Sequence, residues 1–276
     1  MKRILAILMA VMLVCVAAAN VFAAESGTAV VEVNDEGTEE LILSDGTAVV
    51  TVSDEDKEDG EVEVPAAVEK GSEVTVAGLE DDETVTVTLP VEDLTNTTVV
   101  VDKDGNIVEV EYTDDGLVFD VTGESTYTVC EAEDLFNDIE DHYAKQAIAE
   151  TVAKRLMVGK GNGNFDPNGE LSVAMVYTVL ARMLDADIVT TGPQWLENVT
   201  KWAIEQGIAD ELDPKLSVTR EQMVNYMAKA AGVEGNPIDW AVETGLIEGY
   251  EDGSLGLEKN LTRGEFATVL ARFMTK

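Results

Sequence analysis

The sequence predicts a chain in two parts, an all-β module built as an antiparallel, Ig-like sandwich followed by an all-α repeat domain. Three observations carry that prediction. Residues 28–130 alternate apolar and polar side chains in short Val/Thr-rich runs, the period of a half-buried strand. From Phe136 onward the apolar positions take helical spacing, with Gly- and Pro-bearing loops between them. The helical half also repeats itself, which fixes the architecture more firmly than propensity does. Hydrophobic residues make up 45% of the 276 positions, enough for packed cores.

The first element reads as a targeting segment. Lys2 and Arg3 lead into an apolar run from Ile4 to Ala19, and Val21 and Ala23 stand at −3 and −1 of a small-residue cleavage site. A run of 16 residues is short for a membrane span, which needs about 20. Residues 1–23 are therefore expected to be a signal peptide, with export and no membrane span after cleavage. Cys15 lies in the apolar run, so Cys130 alone remains and no internal disulfide is available.

Residues 24–133 form the expected β module, possible as one unit or as two small ones divided near Pro65. Its strand candidates are residues 28–33, 40–43, 47–53, 73–77, 83–89, 97–101, 107–112, 117–121 and 126–130. Between them stand Asp45-Gly46, Asp59-Gly60, Asp104-Gly105 and Asp115-Gly116, turn signals because glycine accepts positive φ. The acidic stretches at residues 53–60 and 102–106 read as turns. They lack the twelve-residue calcium-loop pattern, and no metal or cofactor is assigned.

Residues 134–276 hold the repeats. Trp202-Ala203-Ile204-Glu205-Gln206-Gly207-Ile208 recurs 38 residues later as Trp240-Ala241-Val242-Glu243-Thr244-Gly245-Leu246, each the end of a helix stopped by glycine. Thr219-Arg220-Glu221-Gln222 and Thr262-Arg263-Gly264-Glu265 follow as capping boxes that open the next helices. A third copy shares the frame, with Gly159, Gly163 and Phe165 aligned on Gly249, Gly253 and Leu255. Three helix–loop–helix units result, at about 134–187, 188–232 and 233–276.

These residues resemble the S-layer homology (SLH) family. Phe136-Asn137-Asp138-Ile139, His142-Tyr143-Ala144 and Gly159 through Pro167 look like the opening of one such domain, and the two Thr-Arg boxes resemble the family's Thr-Arg-Ala-Glu motif. The resemblance covers roughly half the chain. It implies a pseudo-threefold helical unit whose grooves bind an anionic secondary cell-wall polysaccharide associated with peptidoglycan. Carried over by position, the glycan-binding residues are Arg220, Arg263, Thr219, Thr262, Tyr143, Trp195, Asp252 and Gly253. The first repeat departs from the pattern at Ser172-Val173-Ala174-Met175, and Arg155 replaces the helix-ending glycine. The third repeat has Val233 in place of the leading aromatic. At most two grooves keep a guanidinium. Read without the family, Arg220 and Arg263 suit surface ion pairs. Trp202 and Trp240 read as core, and Trp195 suits either role. Replacing both arginines with alanine is expected to abolish retention on the wall while leaving helicity intact.

Charge closes the reading. The chain carries 55 acidic and 18 basic side chains, a net charge of −37. That excludes non-specific nucleic-acid binding and adsorption to anionic membranes. Residues 24–133 hold 32 acids against 3 bases, with no Arg and no Trp. One histidine, His142, leaves hydrolase triads poorly supplied. The expected function is non-enzymatic display of an acidic module at the cell wall or S-layer surface. Two alternatives stay open: a surface-array subunit whose degenerate repeats bind other surface-layer proteins, and a carboxylate-dependent polysaccharide-active enzyme.

Overall fold

The computed structural model describes residues 29–33, 39–42, 47–51, 60–64, 67–209 and 213–275. The expected signal peptide at residues 1–23, Asp45-Gly46, Asp59, Pro65 and most of the acidic stretch 53–60 lie outside the described residues.

Among the described residues ten strands precede the helices: β1 (Ala29–Val33), β2 (Glu39–Ile42), β3 (Thr47–Thr51), β4 (Glu61–Glu63), β5 (Glu73–Ala77), β6 (Thr84–Leu89), β7 (Thr98–Asp102), β8 (Glu111–Thr113), β9 (Gly116–Thr122) and β10 (Ser125–Glu131). They form two sheets, ordered β2-β1-β3-β5-β10-β7 and β4-β6-β9-β8. Residues from both sheets share one core, among them Val50, Val76, Val87, Leu117, Phe119 and Val129. Val50 and Val62 on one side of Pro65 and Val74 on the other lie in that same core.

The expectation of a wholly antiparallel, Ig-like pairing is corrected. β1 with β3, β3 with β5 and β4 with β6 run parallel. From β3 to β7 each successive strand enters the opposite sheet. In-sheet neighbours such as β3 and β5 are thus joined by a crossover through the other sheet, the connection that parallel pairing requires. β4 has no counterpart among the predicted strands, because Glu-Val-Glu offers a single apolar residue. The run predicted at 107–112 is strand only at its end, with Ile107 making an isolated bridge to Val101.

The β8–β9 hairpin turns through Asp114 and Asp115 into Gly116, at φ +135°. A Cβ there would lie 2.2 Å from the Leu89 carbonyl oxygen. Gly116→Ala is therefore expected to destabilise the module by roughly 2–3 kcal/mol, read as a lower denaturant midpoint at unchanged slope. At the other hairpin, Asp102 accepts bonds from Asn106 and from the Asp104 and Asn106 amides, which outweigh its burial and hold its carboxyl below the ordinary range. The turn residues themselves take up this carboxylate.

Glu131 ends β10 as a heavily bonded carboxylate. It pairs with Lys70 and accepts from the hydroxyls of Thr95, Thr97 and Thr98. Burial pushes its pKa up, and these four donors more than reverse that, leaving it below the usual 4.5. A carboxyl lowered in the folded state adds stability above its ordinary pKa and loses it as pH falls through the lowered value. Glu131→Gln is expected to flatten the acid limb of the module's stability profile, measured as midpoint against pH. An acid limb identical to the parent's would contradict this reading.

A 3-10 turn at Ala132–Leu135 leads into the α-helices, six among the described residues: α1 (Lys145–Ala153), α2 (Val173–Met183), α3 (Trp195–Glu205), α4 (Arg220–Ala230), α5 (Pro237–Glu243) and α6 (Arg263–Met274). They are paired α1–α2, α3–α4 and α5–α6 by the repeats. α3 packs on α2, α5 on α4 and α1 on α6, so the third pair closes back on the first. The centre is a triangle of backbone bonds: Leu171 N donates to Leu261 O (2.9 Å), Leu261 N to Val218 O (3.0 Å) and Val218 N to Leu171 O (2.9 Å). Both capping boxes form, at Thr219 with Gln222 and at Thr262 with Glu265, and Ser172 caps α2. Gly207 and Gly245 end α3 and α5 in the left-handed region, and Arg155 takes the same conformation at φ +56° after α1.

Candidate functional site

The amides that open each second helix are bonded to the loop of another repeat. Arg263 N and Gly264 N donate to Gly169 O and Pro167 O; Arg220 N and Glu221 N donate to Lys259 O and Leu257 O; Val173 N and Ala174 N donate to Leu216 O and Pro214 O. Three equivalent junctions follow, each joining a helix start, a neighbouring loop and the leading residue of the remaining repeat.

The arginines sit at the floor of two of these junctions. Arg263 is 5% exposed, and its guanidinium donates to Val158 O at 2.7 Å and Phe165 O at 2.9 Å, with Cζ 4.4 Å from the Phe165 ring centroid. Burial pulls its pKa down while Asp166 and Asp138 push it up. Arg220 is 9% exposed and donates through Nη2 to Glu248 O at 2.9 Å, the position equivalent to Val158. Its Nε is buried with no hydrogen-bond partner among the described residues. Arg in this place thus ties one repeat to the loop of the next, a role that its first-turn position in the sequence does not disclose. Neither guanidinium stands in open solvent.

The first junction gathers the richest set. Tyr143 is 70% exposed and stacks beside His142, with ring centroids 4.5 Å apart. Burial, Glu265 and Tyr250 raise its hydroxyl pKa and Arg220 lowers it, so these four side chains share one neighbourhood. Tyr250 stands in the third repeat, with the Lys259 ammonium 3.8 Å from its ring centroid and Arg220 Cζ at 5.8 Å. Gly256 keeps that ring close, since a Cβ there would lie 2.4 Å from Tyr250 Cε2. Exposed aromatic faces with a lysine and a donor-bearing arginine suit a hydroxylated ring that carries an acidic group.

The second junction is a cleft of about 250 Å³ lined by Trp195, Arg263, Lys160, Arg182 and Thr190. Trp195 is partly buried against the helical core. Lys160 occupies the place of Tyr250 and pairs with Asp166 at 2.8 Å. The third junction has Val173 where the others have Arg, and Val233 where they have an aromatic.

The expected site residues thus divide. Arg220 and Tyr143 come together, Arg263 and Trp195 come together, and the two pairs lie in separate junctions. Thr219 and Thr262 spend their hydroxyls on the helix caps. Asp252 and Gly253 form the exposed turn after Tyr250, with Asp252 Oδ1 accepting from Ser254 N at 2.9 Å. The hydrogen bonds from Ser254 lower the Asp252 pKa. Tyr250, Lys259 and Lys160 were missed from sequence. Alignment of the loops places Tyr250 and Lys160 at one position, the signal that was available. Burial, Asp134 and Glu131 push the Cys130 thiol up to about 11, which favours its protonated form at neutral pH. Among the described residues no group of metal-ligating side chains gathers, and no helix is long and apolar enough to cross a membrane.

Two segments, 135–172 and 228–267, match the S-layer homology domain. The first covers α1 and its loop, and the second runs from the end of α4 into α6. The chain is 23% identical over 195 residues to an amylopullulanase of Thermoanaerobacterium thermosulfurigenes, spanning 58% of this chain and 10% of that protein. It is 26% identical over 170 residues to a surface-layer 125 kDa protein of Lysinibacillus sphaericus, spanning 50% of this chain and 14% of that one. The chain therefore covers only a small part of either relative.

Proposed function

We propose that this chain, which carries two S-layer homology segments, is held non-covalently on the cell wall by its ring of repeats and displays the acidic two-sheet module, read as a β-sandwich. The cell-surface location, in the wall or S-layer, rests on that domain and on the surface-layer relative. The ligand is an anionic secondary wall polysaccharide. One observation carries this reading: exposed Tyr250 lies against Lys259 and Arg220, with exposed Tyr143 in electrostatic reach of Tyr250 and Arg220. Glycan-binding roles accordingly fall to Tyr143, Arg220, Trp195 and Arg263, with Tyr250 and Lys259 added. Thr219 and Thr262 support them from the caps, and Asp252 and Gly253 shape the adjacent turn. The protein acts by binding and not by catalysis, and the enzyme name of one relative belongs to a protein of which this chain covers a tenth.

Co-sedimentation of the purified protein with wall sacculi tests the proposal. Retention is expected on intact sacculi and is lost when the secondary polymer is stripped. Retention that survives stripping, or fails on intact walls, overturns it.

A further inference from the structure

The three repeats make the same ring but do not present the same outer surface. On α3 the positions Glu197, Lys201, Ile204 and Glu205 form one face at i, i+4, i+7 and i+8, and all four are exposed. On the third repeat the same positions read Gly235, Asp239, Val242 and Glu243, again exposed. On α1 they read Lys145, Ala149, Val152 and Ala153, of which the last three are buried at 1%, 0% and 7% exposure. α1 packs on α6 as α3 packs on α2, so the ring itself does not account for the difference.

The β module does. Val100 and Val129 belong to the core between the sheets, whereas Val99 and Val101 belong to the helical core, together with Ala132 and the partly buried Cys130 and Ile107. β7 is thus buried on both faces, one by its own module and one by the repeats. The 3-10 turn at Ala132–Leu135 packs against α1. Acidic residues of the module meet bases of the first repeat at the rim, Glu133 with Lys145 at 3.0 Å and Glu109 with Arg155. Arg155 replaces the glycine of the other repeats, so the first repeat accepts a left-handed non-glycine residue where it gains this pair.

We propose that the outer face of α1 is a dedicated docking surface for the β7–β10 edge of the module, so that ring and module form one rigid body that unfolds cooperatively. The partner chemistry is specific: an apolar sheet edge with an acidic rim, fitted by Ala149, Val152 and Ala153 between Lys145 and Arg155. The equivalent faces of the other two repeats lack both the small apolar floor and the flanking bases. The module therefore stands in one fixed pose on the ring and does not swing on a tether.

The test gives α1 the face of α3, through Ala149→Lys with Ala153→Glu in the full chain. The ring tolerates these residues, since α3 carries them at the same positions in the same fold. Calorimetry of the parent is expected to show one transition, and the double variant two. Hydrogen exchange in the variant should rise at residues 98–102 and 132–135 and stay unchanged at 220–230. Glu109→Lys with Glu133→Lys, which alters only the rim, should shift the same amides in the same direction by less. Two transitions in the parent, or unchanged exchange at 98–102 in the double variant, overturn the proposal.

Discussion

Replacing Arg263 with alanine is expected to open the ring, lowering the stability of the chain by about 2–4 kcal/mol. The guanidinium is 5% exposed and satisfies two carbonyls of the first repeat from the start of α6. Its removal takes the Arg donor from the buried Phe165 carbonyl and from the half-exposed Val158 carbonyl, and vacates the space over Phe165. The seam it closes joins the last repeat to the first, where no covalent connection helps. Arg220→Ala should cost less, about 1–3 kcal/mol, because one carbonyl is involved. Denaturant unfolding followed by helical circular dichroism checks both, and a parental midpoint in Arg263→Ala would contradict the structural role. This changes what the double replacement means: helicity is not expected to survive it intact, so loss of wall retention in that variant would report folding as well as binding.

Tyr143→Ala is the cleaner probe of binding. The side chain is 70% exposed, so stability should move by no more than about 0.5 kcal/mol. An aromatic anchor at the centre of a binding site is worth about 2 kcal/mol, or roughly thirtyfold in affinity. Adding Lys259→Ala should weaken binding further and reduce discrimination for acidic over neutral glycan. Affinity measured on wall-polymer fragments, with thermal midpoints as control, decides this. Unchanged affinity in Tyr143→Ala would remove the first junction from the site.

The fold was legible where one physical requirement dominates. Alternating Val and Thr set β5, β6 and β10, and the capping boxes at Thr219 and Thr262 set the starts of α4 and α6. Sheet order was not legible, because alternation says which face of a strand is buried and not which strand lies beside it. The parallel pairs follow from chain crossings that no local pattern records. The docking edge left a trace: Val99-Val100-Val101 breaks the alternation, as a strand buried on both faces must. Ala149, Val152 and Ala153 are the matching trace on α1. In the site, the aromatic at Tyr143 could be read by position. The burial of the arginines could not, since a first-turn Arg reads the same whether it faces solvent or a neighbouring loop.

The charge distribution sharpens the binding claim. The module carries most of the net negative charge, so long-range forces oppose an anionic polymer and binding must come from local contacts. The proposed function assigns them to two of the three junctions, with Arg220 and Tyr143 in one and Arg263 and Trp195 in the other. Titration calorimetry of the intact protein with short fragments of the secondary wall polymer tests this most directly. The structure predicts two sites per chain, of which Tyr143→Ala weakens one and Trp195→Ala the other. No binding, or binding that neither replacement changes, would contradict it.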